Sequence, residues 1–378
     1  MSILHICCNL AGSTVFRELF EALAREGLEQ TVFVPEKREE NLGKNEPEGM
    51  LTVSAMTVKQ SDSLLFFRKA QRSVPEILSR INMRDVRLIH AHTLMTDGSI
   101  AMKLSQRTGV PYVATVRYSD EVIWRWEPHL RELARRIARG AQRVVFLSER
   151  VRDRVLEDWF DEREREAVRA KTAVIPNGIA PQWLDGQARE RLGEPVRVGF
   201  AGKLNDRKRP LDALAAVHDA NARGGRGYAL RAAGSGPLEG KLREALQPQD
   251  RMLGRVEGME AMKRFYAGCD VLLVPSKAET FGMVYLEAMS QGVPVIYTRG
   301  QGFDGQFPEG EVGYAAACGD VREQADRLIQ IVDNYAERSR RCIARAAEYA
   351  WPNIAQKWLV LYASVGHMRE EKTPQAER

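Results

Sequence analysis

The sequence predicts an α/β fold built from two successive domains, each a parallel sheet covered by helices. Three observations carry that prediction. Short runs rich in Val, Ile and Leu alternate with helical periodicities through the first half, a fresh series of the same kind opens at Val196, and 378 residues suit two ordinary domains. Loops that leave the carboxyl ends of such strands are where ligands bind, so the chemistry is sought there.

In the first half, strands are expected over residues 3–8, 30–34, 88–91, 112–116, 143–147 and 172–175. Helices are expected over 15–26, near 65–81 and over 99–108. This half closes at the IPNG run of residues 175–178. In the second half, strands are expected over 196–202, 228–233, 252–256, 271–274 and 293–297, with helices between them, among them 210–222 and 282–291. The domain boundaries so drawn are 1–178 and 179–348, followed by a helix over 349–366 and a polar tail, 367–378, with the composition of a disordered segment.

Composition narrows the class. With 44% hydrophobic and 28% charged residues the chain has the balance of a soluble globular protein, and no stretch approaches eighteen consecutive apolar residues. The first 35 residues read as a strand and a helix rather than an export signal, so a cytoplasmic protein is expected. The five cysteines are odd in number and lack C-x-x-C spacing, which suits reduced core thiols. A net charge of +5 fits an anionic small ligand or an acidic membrane face and does not call for nucleic acid.

The run CDVLLVPSKAETFGMVYLEAMSQGVPVI joins a buried strand, a loop carrying Glu279 and a helix carrying Glu287. The free N–H groups of a helix start attract anions, so residues 280–284 are expected to cradle a phosphate. Glu279, outside the helix, can accept hydroxyls of a polyol; alone, it reads equally well as a charge favoured by the helix dipole. Glu287 lies among Leu286, Met289 and Val293, a buried surface on which a carboxylate needs a partner. Upstream, the strand VRVGFAG runs into KLNDRKRP, which sets Lys203 and Lys208 in one loop, able to clamp a diphosphate or to form a solvated charge run. Gly234-Ser235-Gly236-Pro237 offers a turn where backbone approaches a ligand closely, or a plain turn. The first loop, Asn9 to Ser13, lacks G-x-G-x-x-G and fails as a dinucleotide fingerprint, though Gly12 leaves room for a substrate at the first helix.

Together GFAGKLNDRKRP, GSGP, the run from Tyr266 to Ile296 and IPNG resemble the glycosyltransferase group 1 family: retaining enzymes of the GT-B fold, two Rossmann-like domains facing a cleft, that use nucleotide-diphosphate sugars. The resemblance covers nearly the whole chain and is strongest over residues 196–295. It implies that Lys203 and Lys208 bind the diphosphate, that Glu279 contacts donor-sugar hydroxyls, and that Glu287 holds the ribose. It also implies that the backbone of Phe281, Gly282, Met283 and Val284 meets the phosphates, that Gly12, Gly202 and Gly234 lie against the donor, and that Leu253, Gly254 and Arg255 lie near the base. The YAWPNIAQKWLVLY stretch resembles a C-terminal helix that crosses back to the first domain.

One departure stands out. After YVATV the family usually carries a histidine that contacts the donor sugar; this chain has Arg117, then Tyr118, Ser119 and Asp120. An arginine binds hydroxyl or phosphate oxygens but does not act as a neutral base. His92 and Tyr118 are expected on the acceptor side, and His92 reads otherwise as a satisfied strand-end histidine.

The expected reaction is retaining transfer of a sugar to a hydroxyl of a glycan or lipid-linked acceptor, in cell-surface polysaccharide, lipopolysaccharide or glycolipid synthesis. Charge stabilisation is supplied by Lys203, Lys208 and the helix start after Glu279, with Arg117 as a further cationic candidate. No cofactor is expected beyond the nucleotide-sugar co-substrate, and without Asp-x-Asp no metal. Glu279 as a covalent nucleophile, or a pair of glycosidase carboxylates, is a weaker reading. A sugar-nucleotide epimerase and a non-catalytic sugar-nucleotide-binding subunit stand as alternatives. The run SLLFFRKAQRSVPEILSR mixes Leu64, Leu65, Phe66 and Phe67 with Arg68, Lys69 and Arg72, which suits either a peripheral contact with an anionic membrane or a core helix with a solvated basic face; RELARRIAR repeats the ambiguity.

Overall fold

A computed structural model describes residues 2–59, 62 and 65–370. The chain divides into two compact units: Met1–Leu147, Val151–Gly178 and Trp351–Arg378 form the first, and Ser148–Arg150 with Ile179–Ala350 the second.

The first unit holds a parallel sheet in the order β3-β2-β1-β4-β5-β6-β7. Its strands are β1 (Ser2–Ile6), β2 (Glu29–Pro35), β3 (Leu51–Ala55), β4 (Val86–Ala91), β5 (Tyr112–Thr115), β6 (Arg143–Phe146) and β7 (Thr172–Val174). Helices α1 (Thr14–Arg25), α2 (Phe66–Arg80), α3 (Thr96–Thr108), α4 (Tyr118–Trp126), α5 (Arg131–Gly140), α6 (Glu149–Trp159) and α7 (Glu162–Arg169) connect them. Strand β3 carries no strong signal in the sequence because it is an edge strand of five residues in which only Val53 and Ala55 are buried. The expected helix at 65–81 is α2; Ser63 and Leu64 lie outside the described residues.

The second unit repeats the design with the order β10-β9-β8-β11-β12-β13. Its strands are β8 (Val196–Ala201), β9 (Tyr228–Ala233), β10 (Arg251–Gly254), β11 (Val271–Leu273), β12 (Val295–Thr298) and β13 (Gly313–Ala316). Its helices are α8 (Pro210–Ala222), α9 (Glu239–Ala245), α10 (Met259–Ala267), α11 (Met283–Ser290), α12 (Val321–Gln330) and α13 (Tyr335–Ala347). Val271, Leu272 and Leu273 are buried on both faces, and each such side chain removed from water stabilises by about 2 kcal/mol. That burial explains why β11 reads as an unbroken apolar run.

The last helix, α14 (Trp351–Glu370), belongs to the first unit, where the Trp351 indole donates to Glu18 at 2.7 Å and Tyr362 bonds His90 at 2.7 Å. It runs past the expected end at 366 into the segment read as tail; residues 371–378 lie outside those described. Among the described residues no helix is long and apolar enough to cross a membrane. In both sheets the strand order reverses once, between β1 and β4 and between β8 and β11, and the loops leaving those strands form the rims described next.

Candidate functional site

In the second unit the loop after β8 and the loop after β11 flank the reversal point. They are knitted by Arg207, whose carbonyl accepts from the Lys277 N–H at 2.7 Å and whose guanidinium donates to the Ala278 carbonyl at 3.1 Å. That tie brings Lys208 and Glu279, 71 residues apart, into an ion pair at 2.5 Å, both side chains mostly buried. Lys203, five positions earlier, is exposed. The two lysines therefore differ: Lys208 is fixed against a carboxylate, and Lys203 is exposed.

Backbone glycines build the rest of this rim. A Cβ on Gly234 (φ +153°) would lie 1.9 Å from the Gly202 carbonyl oxygen, and one on Gly236 would lie 2.5 Å from that of Leu204. The GSGP turn is therefore required by the lysine loop itself, which it supports through Leu204 N–H to the Ser235 carbonyl at 3.0 Å. Gly234 N–H in turn donates to the Gly254 carbonyl at 2.7 Å, which aligns the ends of β8, β9 and β10. Leu253 is partly exposed, and Arg255 pairs with Glu257 at the surface at 2.7 Å.

The helix start of α11 is opened by Gly282, whose φ of +92° belongs to the left-handed region. Met283 and Val284 are its first residues, whose amides have no intrahelical acceptor, while Phe281 is buried beneath them. Glu279 is held by Gln301, whose side-chain oxygen accepts from its N–H at 3.0 Å, and its carbonyl accepts from Gly302 at 2.8 Å. Sequence reasoning missed Gln301 and Gly302, although the glycine-dense TRGQGFDG run after β12 marked the place. Glu287, on α11, has the partner its position demands: the buried Tyr266 hydroxyl donates to it at 2.8 Å, and burial pushes that phenol well above its usual range.

The rim of the first unit is built differently. Arg117, at the start of α4, donates to the His92 carbonyl at 2.8 Å and to Asn177 at 3.4 Å, and its guanidinium lies 4.5 Å from the centre of the Phe16 ring. Asp120, fully buried, accepts from the N–H groups of Leu94 at 3.0 Å, Met95 at 2.9 Å and Arg117 at 2.8 Å. A carboxylate of the chain itself therefore fills the anion position at the start of α3. Burial pushes Asp120 up to about 6 despite those donors.

His92, expected to meet an acceptor, is fully buried instead, its Nε2 3.0 Å from His5 Nδ1. With His90 these residues form a cluster in which three ring nitrogens lie within 4.8 Å of one another. Burial lowers all three, His5 to about 3, so the rings are neutral. Phe16 and Phe20 of α1 pack on the His92 ring and Trp358 of α14 on that of His90, and among the described residues His92 Nδ1 has no hydrogen-bond partner, so His92 is buried without being fully satisfied. Gly12 ends an exposed turn where an added Cβ would meet nothing, and Tyr118 is half-buried at the first position of α4.

Comparisons with known proteins fall on both units. Residues 184–349 match the family model described as Glycosyl transferases group 1, and residues 12–183 match Glycosyltransferase Family 4. A D-inositol 3-phosphate glycosyltransferase of Acidothermus cellulolyticus is 27% identical over 77% of this chain and 69% of its own length. Among solved structures, sucrose-phosphate synthase from Thermosynechococcus elongatus superposes with a TM-score of 0.76 at 19% identity, over 97% of this chain and 100% of that one. Anabaena Alr3699/HepE in complex with UDP and glucose superposes with a TM-score of 0.68 at 17% identity, over 96% of this chain and 100% of that one.

Proposed function

The chain belongs to the glycosyl transferases group 1 family and is a glycosyltransferase of the GT-B fold; from that premise we propose that it transfers a sugar, with retention and without a metal, from a nucleotide-diphosphate donor to a hydroxyl of a glycan or lipid-linked acceptor in cell-surface polysaccharide, lipopolysaccharide or glycolipid synthesis. The single observation that carries the proposal is the Lys208–Glu279 pair at the reversal point of the second sheet, beside a helix start opened by a left-handed glycine. The ammonium and the first amides of α11 supply fixed positive charge where a departing diphosphate gathers negative charge, and fixed charge needs no reorganisation during the reaction. The free oxygen of Glu279 is left to accept sugar hydroxyls, Lys203 adds a second cation, and Glu287, oriented by Tyr266, holds the ribose. The UDP recorded with Alr3699/HepE supports a nucleoside diphosphate as the donor part.

An epimerase would need acid and base groups poised at the sugar, whereas the buried groups of the first rim are committed: Asp120 accepts three N–H groups and the histidines are held neutral. The proposal includes a cytoplasmic protein with peripheral contact to an anionic membrane. Phe67, 54% exposed, has the Arg68 guanidinium 6.0 Å from its ring centre, and this exposed aromatic–cation pair supports that contact. Incubation with a panel of nucleotide sugars tests the reaction: slow release of nucleoside diphosphate is expected, isomerised sugar would favour the epimerase, and binding without turnover a non-catalytic subunit. The anomeric configuration of the product, read by NMR, tests retention. Flotation with liposomes that contain or lack anionic lipid tests the membrane contact.

A further inference from the structure

Gln301 is the residue of the second rim whose chemistry the transferase reading leaves half used. The loop after β12 lies directly on the loop of Glu279: Gly302 N–H donates to the Glu279 carbonyl at 2.8 Å, and a Cβ on Gly302 would stand 2.0 Å from the Thr280 carbonyl oxygen. The loop is itself fixed. The Asp304 carboxylate accepts from Gly300 N–H at 2.8 Å, Asp304 N–H donates to the Gln301 carbonyl at 3.0 Å, and the buried Phe303 ring lies 4.6 Å from that of Tyr285 on α11. Gln301, half-buried, turns its side chain onto Glu279, where Oε1 accepts the backbone N–H at 3.0 Å. Because that N–H is a donor, only the oxygen of the carboxamide serves there, which settles which end is nitrogen. The nitrogen lies in the same plane beside Glu279 and carries two donors, and among the described residues it has no hydrogen-bond partner. One residue of the loop is thus flanked by a donor without an acceptor, the Gln301 NH2, and by an acceptor without a donor, the Glu279 oxygen not paired to Lys208.

We infer that Gln301 reads the transferred sugar: its NH2 donates to the oxygen of a sugar hydroxyl next to the one whose proton Glu279 accepts. The inference rests on the transferase reading and extends it to the class of donor, a neutral sugar with two adjacent free hydroxyls. A hydroxyl both donates and accepts, so a carboxylate oxygen and an amide side by side match such a pair. A sugar that lacks one of the two leaves a polar group of the rim unpaired, which is how a polar site rejects it. Gln301 is thereby given two tasks with its two ends, one held by the protein and one offered to the ligand.

The test titrates the full-length protein calorimetrically with UDP against UDP-glucose and with GDP against GDP-mannose. It reads the ratio of the two dissociation constants in each pair, in which an effect on the diphosphate alone cancels. Gln301→Met is expected to shift that ratio against the sugar nucleotide about three- to tenfold, the size of a lost neutral hydrogen bond. Gln301→Glu keeps an oxygen for the Glu279 N–H and loses the NH2, and a shift at least as large is expected. Circular dichroism establishes that each variant is folded, and Gln301→Glu keeps the test open should Gln301→Met not fold. A wild-type ratio in either folded variant overturns the inference: in Gln301→Met because the amide is gone without effect, in Gln301→Glu because holding the Glu279 backbone then suffices. A wild type that binds neither UDP nor GDP brings down the donor reading, and this inference with it, before any variant is made.

Discussion

The two sheets have the same parallel build and a single reversal of strand order, yet their rims are opposites. The first closes on itself: Asp120 fills the helix start that an anion would use, Arg117 is spent on a carbonyl, an amide and a ring, and three histidines stay neutral under α14. The second is open: its glycine turns pack backbone against the lysine loop, its helix start is unfilled by a side chain of the described loop, and its charges face each other across 2.5 Å. Strand order gives both rims the same place to bind a ligand. Which one offers fixed charge to a diphosphate is decided by the side chains that the rim consumes internally.

The largest effect expected from breaking the open rim comes from Lys208→Met. It removes fixed charge from the site and leaves Glu279 unpaired, and transfer measured as kcat/KM should fall about 10²- to 10³-fold, or roughly 3–4 kcal/mol. Full activity in the Lys203→Ala, Lys208→Ala double variant would end the diphosphate assignment. Gly234→Ala forces a side chain into the Gly202 carbonyl at a left-handed φ, and a chemical melt should show a loss of about 3 kcal/mol.

The closed rim answers differently. Arg117→Ala strands the His92 carbonyl and the Asn177 amide, so stability should drop by about 2 kcal/mol while nucleoside diphosphate binding changes little. A folded, equally stable Arg117→Ala protein that has lost transfer would show that this rim, too, works on the ligand.

Acid provides a finer contrast. Between about pH 4 and 6 the unfolded chain binds three protons on His5, His90 and His92 that the native protein excludes, because burial lowers those rings. The native protein binds up to two, on Asp97 and Asp120, that the unfolded chain has released, because burial raises them. Three lowered histidines are opposed by two raised carboxyls, so their combined contribution to stability should fall as pH drops through that window. Asp97→Asn removes one opposing proton and should steepen the slope in denaturant melts across pH. The smallest effect belongs to Gly12→Ala: stability should move by less than about 0.5 kcal/mol, since the added methyl meets nothing, and any larger loss of transfer would locate substrate against that turn.

Much of the second rim was legible from residues alone. Lys203, Lys208 and Glu279 stand in loops whose flanking strands are announced by apolar runs, and Gly282 marks the helix start. The support beneath them was not: Gln301, which fixes Glu279, and Tyr266, which orients Glu287, act across 22 and 21 residues of sequence. The first rim was less legible still. His92 at a strand end looks the same in one dimension whether it faces a ligand or two other histidines. Lys69 sits in a run that reads as a basic helix face, and burial sets it apart from Arg68 beside it.

The sequence by itself determined the alternation of strands and helices, the two-fold repetition of that alternation, and the charges and glycines available at each loop, because periodicity and backbone freedom are local properties. Only the tertiary structure decided which strands are neighbours, and with that which loops meet. Parallel pairing is set by apolar faces that find each other over long stretches of chain, so no local signal states that Lys208 will reach Glu279, that Asp120 will cap α3, or that Lys69 will be buried.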